Sequence, residues 1–220
     1  AEARTVAPDD MDLLFLPLAH SYARCEEYFT VYHGCTTAFA ENLDKVGENL
    51  RETHPTFICS VPRVFEKVYG KILAGVEAGS PIKKKIFHWA LGVGRQVSRL
   101  QQAGKPIPGG LRFKHRIAHK LVFHKLHVAL GGRLRFAVSG GAPLSKEIAE
   151  FFHAAGILIL EGYGLTETCP ALAVNRQDAF KFGSVGEALP GVELRIAPDG
   201  EILARGPNIA TRGYYKKPEA

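Results

Sequence analysis

No apolar run in this chain of 220 residues approaches the roughly 20 needed to cross a bilayer. The opening stretch, Ala1 to Asp12, is polar and acidic and lacks the pattern of a secretory signal. Cysteine is sparse: Cys25, Cys35, Cys59 and Cys169 show neither Cys-x-x-Cys nor zinc spacing. That favours reduced thiols and a cytoplasmic setting over a disulfide framework. Acidic residues are missing altogether between Glu77 and Glu147. The familiar glycine-rich signatures are missing too. There is no Gly-x-x-x-x-Gly-Lys-Ser/Thr loop, and Gly162-x-Gly164 lacks the third glycine of the dinucleotide fingerprint. Ser139 has Ala137 two residues before it, so there is no Gly-x-Ser-x-Gly elbow. These absences argue against a P-loop NTPase, a Rossmann dehydrogenase and an α/β-hydrolase.

What is present reads as a globular chain, 46% hydrophobic and 23% charged. Apolar runs at 12–18, 35–40, 56–61, 133–138 and 157–161 read as strands. Between them, helices are expected at Tyr22 to His33 (capped by Ser21, stopped by Gly34), Glu41 to Thr53, Arg63 to Ala78, Pro81 to Leu100, Leu111 to Leu130 and Ser145 to Ala155. Alternating strands and helices predict a parallel sheet up to about Phe182. Beyond it, Val192 to Ile196 and Glu201 to Arg205 flank the turn signal Ala197-Pro198-Asp199-Gly200 and read as a hairpin.

Two loops carry the chemistry. Gly140-Gly141-Ala142-Pro143 follows one strand. Glu161-Gly162-Tyr163-Gly164-Leu165-Thr166-Glu167 follows the next, about twenty residues on, a spacing that suits a strand–helix–strand crossover. Side by side they form a two-walled slot at the strand ends, where open α/β sheets tend to bind ligands. Gly162 and Gly164 leave room for a ligand, and Tyr163 offers a flat face for stacking. The Thr166 hydroxyl can donate to a phosphate oxygen, and the Glu167 carboxylate can hold a hard cation such as Mg²⁺.

At these residues the chain resembles the AMP-forming, adenylate-forming enzymes, and among them the long-chain fatty acyl-CoA synthetases. Gly140-Gly141-Ala142-Pro143 is similar to the loop bordering that family's adenine pocket, and Gly162-Tyr163-Gly164 to the segment along the adenine ring. The resemblance implies that Glu161 belongs to the nucleotide wall, that Thr166 contacts the phosphate, and that Glu167 binds Mg²⁺. Leu16-Pro17-Leu18-Ala19-His20 resembles a segment whose histidine lies near the acyl pocket. His20 can equally be a satisfied structural histidine. Gly140 and Gly164 would also border the acyl substrate. Gly200 to Gly206 and Gly213 to Glu219 resemble the family's core segment at the edge of a small β-barrel. Pro55-Thr56-Phe57 to Val61-Pro62-Arg63-Val64-Phe65-Glu66-Lys67, and Leu121-Val122-Phe123 through Arg133, resemble the long-chain branch.

The resemblance implies an α/β fold: a parallel sheet flanked by helices, with the beginning of a small antiparallel β-barrel at the C-terminal end. Residues 1–182 would form the α/β part of the adenylate-forming domain and 183–220 the start of the barrel. The family's phosphate loop and its lysine-bearing C-terminal domain have no counterpart in this chain, which reads as an internal piece, inactive alone. The implied ligands are a fatty acid, ATP or AMP with Mg²⁺, and coenzyme A. A non-catalytic nucleotide- or acyl-binding module remains an alternative. So does another adenylate-forming enzyme, such as an amino-acid adenylating domain, against which the long-chain segments argue.

The basic stretch at 82–135 should attract something anionic (phosphates, anionic lipid or nucleic acid) or is a solvated basic face with no dedicated ligand; a peripheral contact with anionic membrane suits a fatty-acid enzyme. No reader motif for nucleic acid accompanies it. His115, His119, His124 and His127 recur at helical spacing without a carboxylate or cysteine, and read as part of a solvated basic face rather than a metal site.

Overall fold

Each short apolar run becomes a strand whose C-terminal end opens into a loop. The computed structural model describes residues 6–217. Ala1 to Thr5, and the Pro218-Glu219 end of the core segment quoted above, lie outside the described residues. In chain order the elements are β1 (Met11–Leu14), α1 (Ser21–His33), β2 (Thr36–Phe39), α2 (Val46–Thr53), β3 (Phe57–Ser60), α3 (Pro62–Glu77), α4 (Pro81–Gln102) and α5 (Gly109–Ala118). A π-helical turn (His119–Phe123) leads into α6 (His124–Ala129), then β4 (Phe136–Ser139), α7 (Lys146–Ala154) and β5 (Leu158–Tyr163). A 3₁₀ turn (Thr166–Thr168), β6 (Ala173–Val174), β7 (Glu187–Ala188), β8 (Glu193–Ile196) and β9 (Ile202–Arg205) follow.

The main sheet runs β2-β1-β3-β4-β5-β6-β7. Pairings from β2 through β5 are parallel, and β6 and β7 add antiparallel edge strands, the last of them past residue 182. β8 and β9 form a separate two-stranded antiparallel sheet. Side chains alternate across the strands. Leu13, Ile58, Ala137 and Ile159 belong to the larger core, with Phe65 of α3, Phe87 and Leu91 of α4, and Phe151 and Phe152 of α7. Phe57, Phe136 and Leu160 form a smaller cluster with Val6. There the Phe57 and Phe136 rings stack at 5.6 Å, and Phe29 of α1 meets Phe57 edge-on.

α1 is seated through a buried acid pair. Asp12 on β1 is fully buried, and Glu26 on α1 accepts the Cys59 backbone N–H at 3.2 Å. Neither Asp12 oxygen has a hydrogen-bond donor among the described residues, and the remaining oxygen of Glu26 has none either. Burial pushes Asp12 up to about 7. Burial, and then the charge of Asp12, raise Glu26 further. Two carboxylates out of water repel one another as well as paying for burial, so both groups favour the protonated form.

Three expectations need correction. α2 starts at Val46 rather than Glu41, because the Asn42 side chain accepts the N–H groups of Asp44 and Lys45, both at 3.0 Å, and holds a turn instead. The single helix expected over 111–130 is interrupted by the π turn, which inserts the buried Phe123 into a cluster with Ala90 and Val93 of α4. Ser21 is the first helical residue of α1 rather than its cap. His20 holds the cap position and makes no side-chain capping bond.

Candidate active site

β4 and β5 are parallel neighbours, with Ser139 opposite Glu161. The loops after them therefore leave the sheet at one level, as the spacing predicted. Both open onto a cavity of about 1620 Å³ at the C-terminal ends of β1, β3, β4 and β5. Gly140 and Gly141 form part of one wall. Gly162, Tyr163, Gly164, Thr166 and Glu167 form part of another. His20, from the loop after β1, also lines it. Ala142 and Pro143 are exposed and Glu161 is buried; none of the three lines the cavity.

Glu161 instead joins the two walls. Its carboxylate accepts the backbone N–H of Leu144 at 3.1 Å, so the strand carrying Tyr163 holds the end of the Gly140–Pro143 loop. The Tyr22 hydroxyl donates to the Val138 carbonyl at 3.2 Å, and its ring lies under Gly140. A Cβ on Gly140 would sit 3.1 Å from that ring. At Gly164 the space expected for a ligand is taken by the chain itself. A Cβ there would come within 1.8 Å of the Pro170 carbonyl oxygen and 2.7 Å of the Ala171 Cα.

Thr166 and Glu167 sit on an exposed 3₁₀ turn closed by the buried Thr168. The Thr168 hydroxyl accepts the Leu165 N–H at 2.8 Å and lies 3.1 Å from the Pro170 carbonyl. From 40 residues away, the Asn208 side-chain amide donates to the carbonyls of Thr168 (2.9 Å) and Ala171 (2.7 Å). The Ala210 N–H donates to the Glu167 carbonyl at 2.8 Å, and the Tyr214 hydroxyl donates to the Glu167 carboxylate. Sequence reasoning missed Thr168, Asn208 and Tyr214 as parts of the site. Nothing local marks them, because each acts through a carbonyl or carboxylate placed by the fold.

The other end of the cavity is apolar. It passes between α3, the start of α4 and residues 121–130, with Val64, Val68, Ile72, Ile86, Leu126 and Phe152 among its lining. Of α1, only the first turn, Ser21 to Ala23, lines the cavity. Arg63, Lys67, Lys71, Lys83 and Lys125 also line this end, so cations flank the apolar surface.

The histidines of the basic stretch lie apart from the polar wall. Ring centroids separate His119 from His127 by 5.1 Å and from His124 by 6.1 Å, and the His127 Nε2 lies 2.8 Å from the Ala155 carbonyl. Burial, and then the neighbouring imidazoles, hold His119 below the ordinary histidine range. Among the described residues, no group of three or more His, Cys, Asp or Glu is arranged to hold a metal ion.

Comparison with known proteins adds a lineage to this geometry. The family described as "AMP-binding enzyme" matches residues 1–215. A long-chain-fatty-acid–CoA ligase of Mycobacterium bovis, FadD15, is 41% identical over 94% of this chain and 34% of its own length. The peroxisomal long chain acyl-CoA synthetase 7 of Arabidopsis thaliana is 34% identical over 96% of this chain and 31% of its own. The chain thus spans about a third of the length of these curated relatives. Solved structures share the fold. A Mycobacterium tuberculosis fatty acyl CoA synthetase superposes with a TM-score of 0.62 at 19% identity, over 98% of this chain and 35% of that one. Apo MatB from Rhodopseudomonas palustris gives 0.61 at 23% identity, over 97% and 34%.

Proposed function

The chain belongs to the AMP-binding enzyme family, and on that premise we propose that it is the nucleotide- and acyl-binding part of a long-chain fatty acid–CoA ligase. One observation carries this reading. A single cavity joins a polar wall built from Gly141, Tyr163, Thr166 and Glu167 to an apolar slot beside α3. A nucleotide and a fatty acid bound at the two ends would meet at the glycine loops.

In this reading a fatty carboxylate oxygen attacks the α-phosphorus of ATP. The bond to pyrophosphate breaks, leaving acyl-adenylate. The sulfur of coenzyme A then attacks the acyl carbon, AMP departs, and the thiol proton is released. Tyr163 supports adenine by stacking, and the Thr166 hydroxyl donates to a phosphate oxygen. The Gly140–Pro143 loop, held by Glu161, closes the opposite side. The apolar end binds the alkyl chain, at about 0.8 kcal/mol per buried methylene. Residues 1–182 would carry the groups that face the ligands, and the barrel would begin within 183–220, after β7, which pairs with the main sheet.

The donor set at the polar wall fits a magnesium ion. Glu167, on an exposed turn, lines the same cavity wall as Thr166, and Mg²⁺ is commonly held by one or two carboxylates together with substrate phosphates. When bound, the ion would neutralise phosphate charge. The residues of this chain that would hold it are Glu167 and, through the phosphates, Thr166.

The basic stretch supports a peripheral contact with anionic membrane. Ile82, Trp89, Phe113, Ile117 and Leu121 are exposed among its lysines and arginines, a mixture suited to a lipid interface. Lys83, Ile86, Leu121 and Lys125 belong both to this stretch and to the cavity lining, so a fatty acid leaving the bilayer would have a short path. Among the described residues no helix is long and apolar enough to cross a membrane. Flotation should show binding to anionic vesicles at low salt and none to neutral vesicles. Equal binding to both would remove the membrane contact.

The catalytic reading is tested by ATP–pyrophosphate exchange with the complete protein. Exchange should appear only when a long-chain fatty acid is added. Tight nucleotide and acyl binding without exchange would instead establish a binding module.

A further inference from the structure

The segment leaving β9 crosses the Thr166–Thr168 turn and is tied to it along its length. Asn208 holds the carbonyls of Thr168 and Ala171, and the Ala210 N–H holds the Glu167 carbonyl. The backbone of Glu167 is thereby fixed, and only its side chain keeps rotational freedom. That freedom is removed by the Tyr214 hydroxyl, which donates to one carboxylate oxygen, Oε1. None of the ion pairs among the described residues involves Glu167.

We propose that Tyr214 is a positioning residue for Glu167: its hydroxyl orients the carboxylate at the cavity wall and leaves the second oxygen for a divalent cation carried in by the nucleotide. This rests on the reading of Glu167 as the cation ligand. The chemistry of the donor matters. A lysine or arginine in place of Tyr214 would neutralise the carboxylate and compete with the cation. A phenolic hydroxyl fixes the geometry and leaves the negative charge intact. Partners that orient ligating carboxylates and imidazoles in this way typically contribute about 10- to 100-fold to metal affinity.

The test compares the unchanged protein with Tyr214→Phe, Glu167→Gln and the double variant. Mn²⁺ affinity is read by electron paramagnetic resonance with ATP present, and ATP affinity is measured without metal. Tyr214 is half-exposed and phenylalanine keeps its ring, so the fold is retained; a melting curve for each variant checks this. Tyr214→Phe should weaken Mn²⁺ binding about 10- to 100-fold, leave metal-free ATP affinity unchanged, and add nothing in the Glu167→Gln background. Normal Mn²⁺ affinity in Tyr214→Phe, with a loss in Glu167→Gln, would overturn the role of Tyr214 while the role of Glu167 stands. An equal loss from Tyr214→Phe in both backgrounds would mean that Tyr214 acts elsewhere. No loss in Glu167→Gln would remove the Glu167 assignment, and this proposal with it.

Discussion

The carboxylate of Glu161 accepts the backbone N–H of Leu144 at 3.1 Å, and this one bond ties the loop after β4 to the strand that carries Tyr163. Glu161 is buried, and its second oxygen has no hydrogen-bond partner among the described residues. Glu161→Ala should leave the Leu144 N–H without a partner, at a cost of about 1–3 kcal/mol, and weaken nucleotide binding as the loop loosens. Urea denaturation and an AMP titration would measure the two effects. Glu161→Gln keeps an acceptor and should fall between. Unchanged AMP affinity in Glu161→Ala would mean that the loop does not depend on this tie.

Gly164 and Gly162 should respond differently to alanine. At Gly164 the new methyl meets the Pro170 carbonyl at 1.8 Å, and backbone cannot step aside as a side chain can. A loss of at least about 1–3 kcal/mol is expected, because the Thr166–Thr168 turn must shift. At Gly162 the nearest atom would be 3.6 Å away, an ordinary contact. Gly162→Ala should therefore fold with near-normal stability. Equal melting of the two variants would contradict the packing described.

The acid pair under α1 gives stability a pH dependence of known sign. Asp12 and Glu26 have folded pKa values above their unfolded ones, so the folded state holds the extra proton. Their contribution is complete at low pH and is lost as pH rises through the folded values, for Asp12 at about 7. His153 acts oppositely. Burial lowers it to about 4, so its contribution is complete above the ordinary histidine range near 6.5 and is lost on acidification. Between about pH 6.5 and 8, below the range where the raised thiols of Cys25, Cys35 and Cys59 begin to contribute, the slope belongs to the acid pair, at about 1.4 kcal/mol per pH unit while one extra proton is held. Asp12→Asn should flatten that limb and raise stability at pH 8. A pH series of denaturation curves parallel to those of the unchanged protein would mean that the pair takes up no extra proton on folding.

Asn208 offers a test of how the segment after β9 is tied to the Thr166–Thr168 turn. Its amide donates to two carbonyls, while its own carbonyl oxygen is buried without a donor among the described residues. Asn208→Ala removes both bonds, each contributing about 0.5–1.5 kcal/mol, along with the orphaned acceptor, so its cost should be modest. Asn208→Asp keeps the size but aims a carboxylate at two carbonyl oxygens, and should be the more destabilised of the two. The reverse order in thermal melts would show that the amide does not bridge these carbonyls.

Much of the scaffold was legible in sequence because its cues are local. Apolar runs marked β3, β4 and β5, and the crossover spacing placed the two loops side by side. Contacts between distant residues were not legible. Asp12 and Glu26 meet only because α1 packs on β1 and β3. Asn208 and Tyr214 reach the Thr166–Thr168 turn only after the β8–β9 hairpin folds back. Gly164 looked like space for a ligand, because a sequence cannot show that Pro170 and Ala171 return to fill it. The late start of α2 and the π turn were hidden by periodicity, which continues smoothly through both.

In the proposed function one cavity holds nucleotide and alkyl chain together. A series of non-hydrolysable acyl-adenylate mimics of increasing chain length, titrated against the protein, measures this directly. Affinity should exceed that of AMP and rise by about fourfold for each added methylene, the equivalent of about 0.8 kcal/mol, until the slot beside α3 is filled. Affinity equal to that of AMP at every chain length would mean that the slot beside α3 holds no alkyl chain next to the nucleotide.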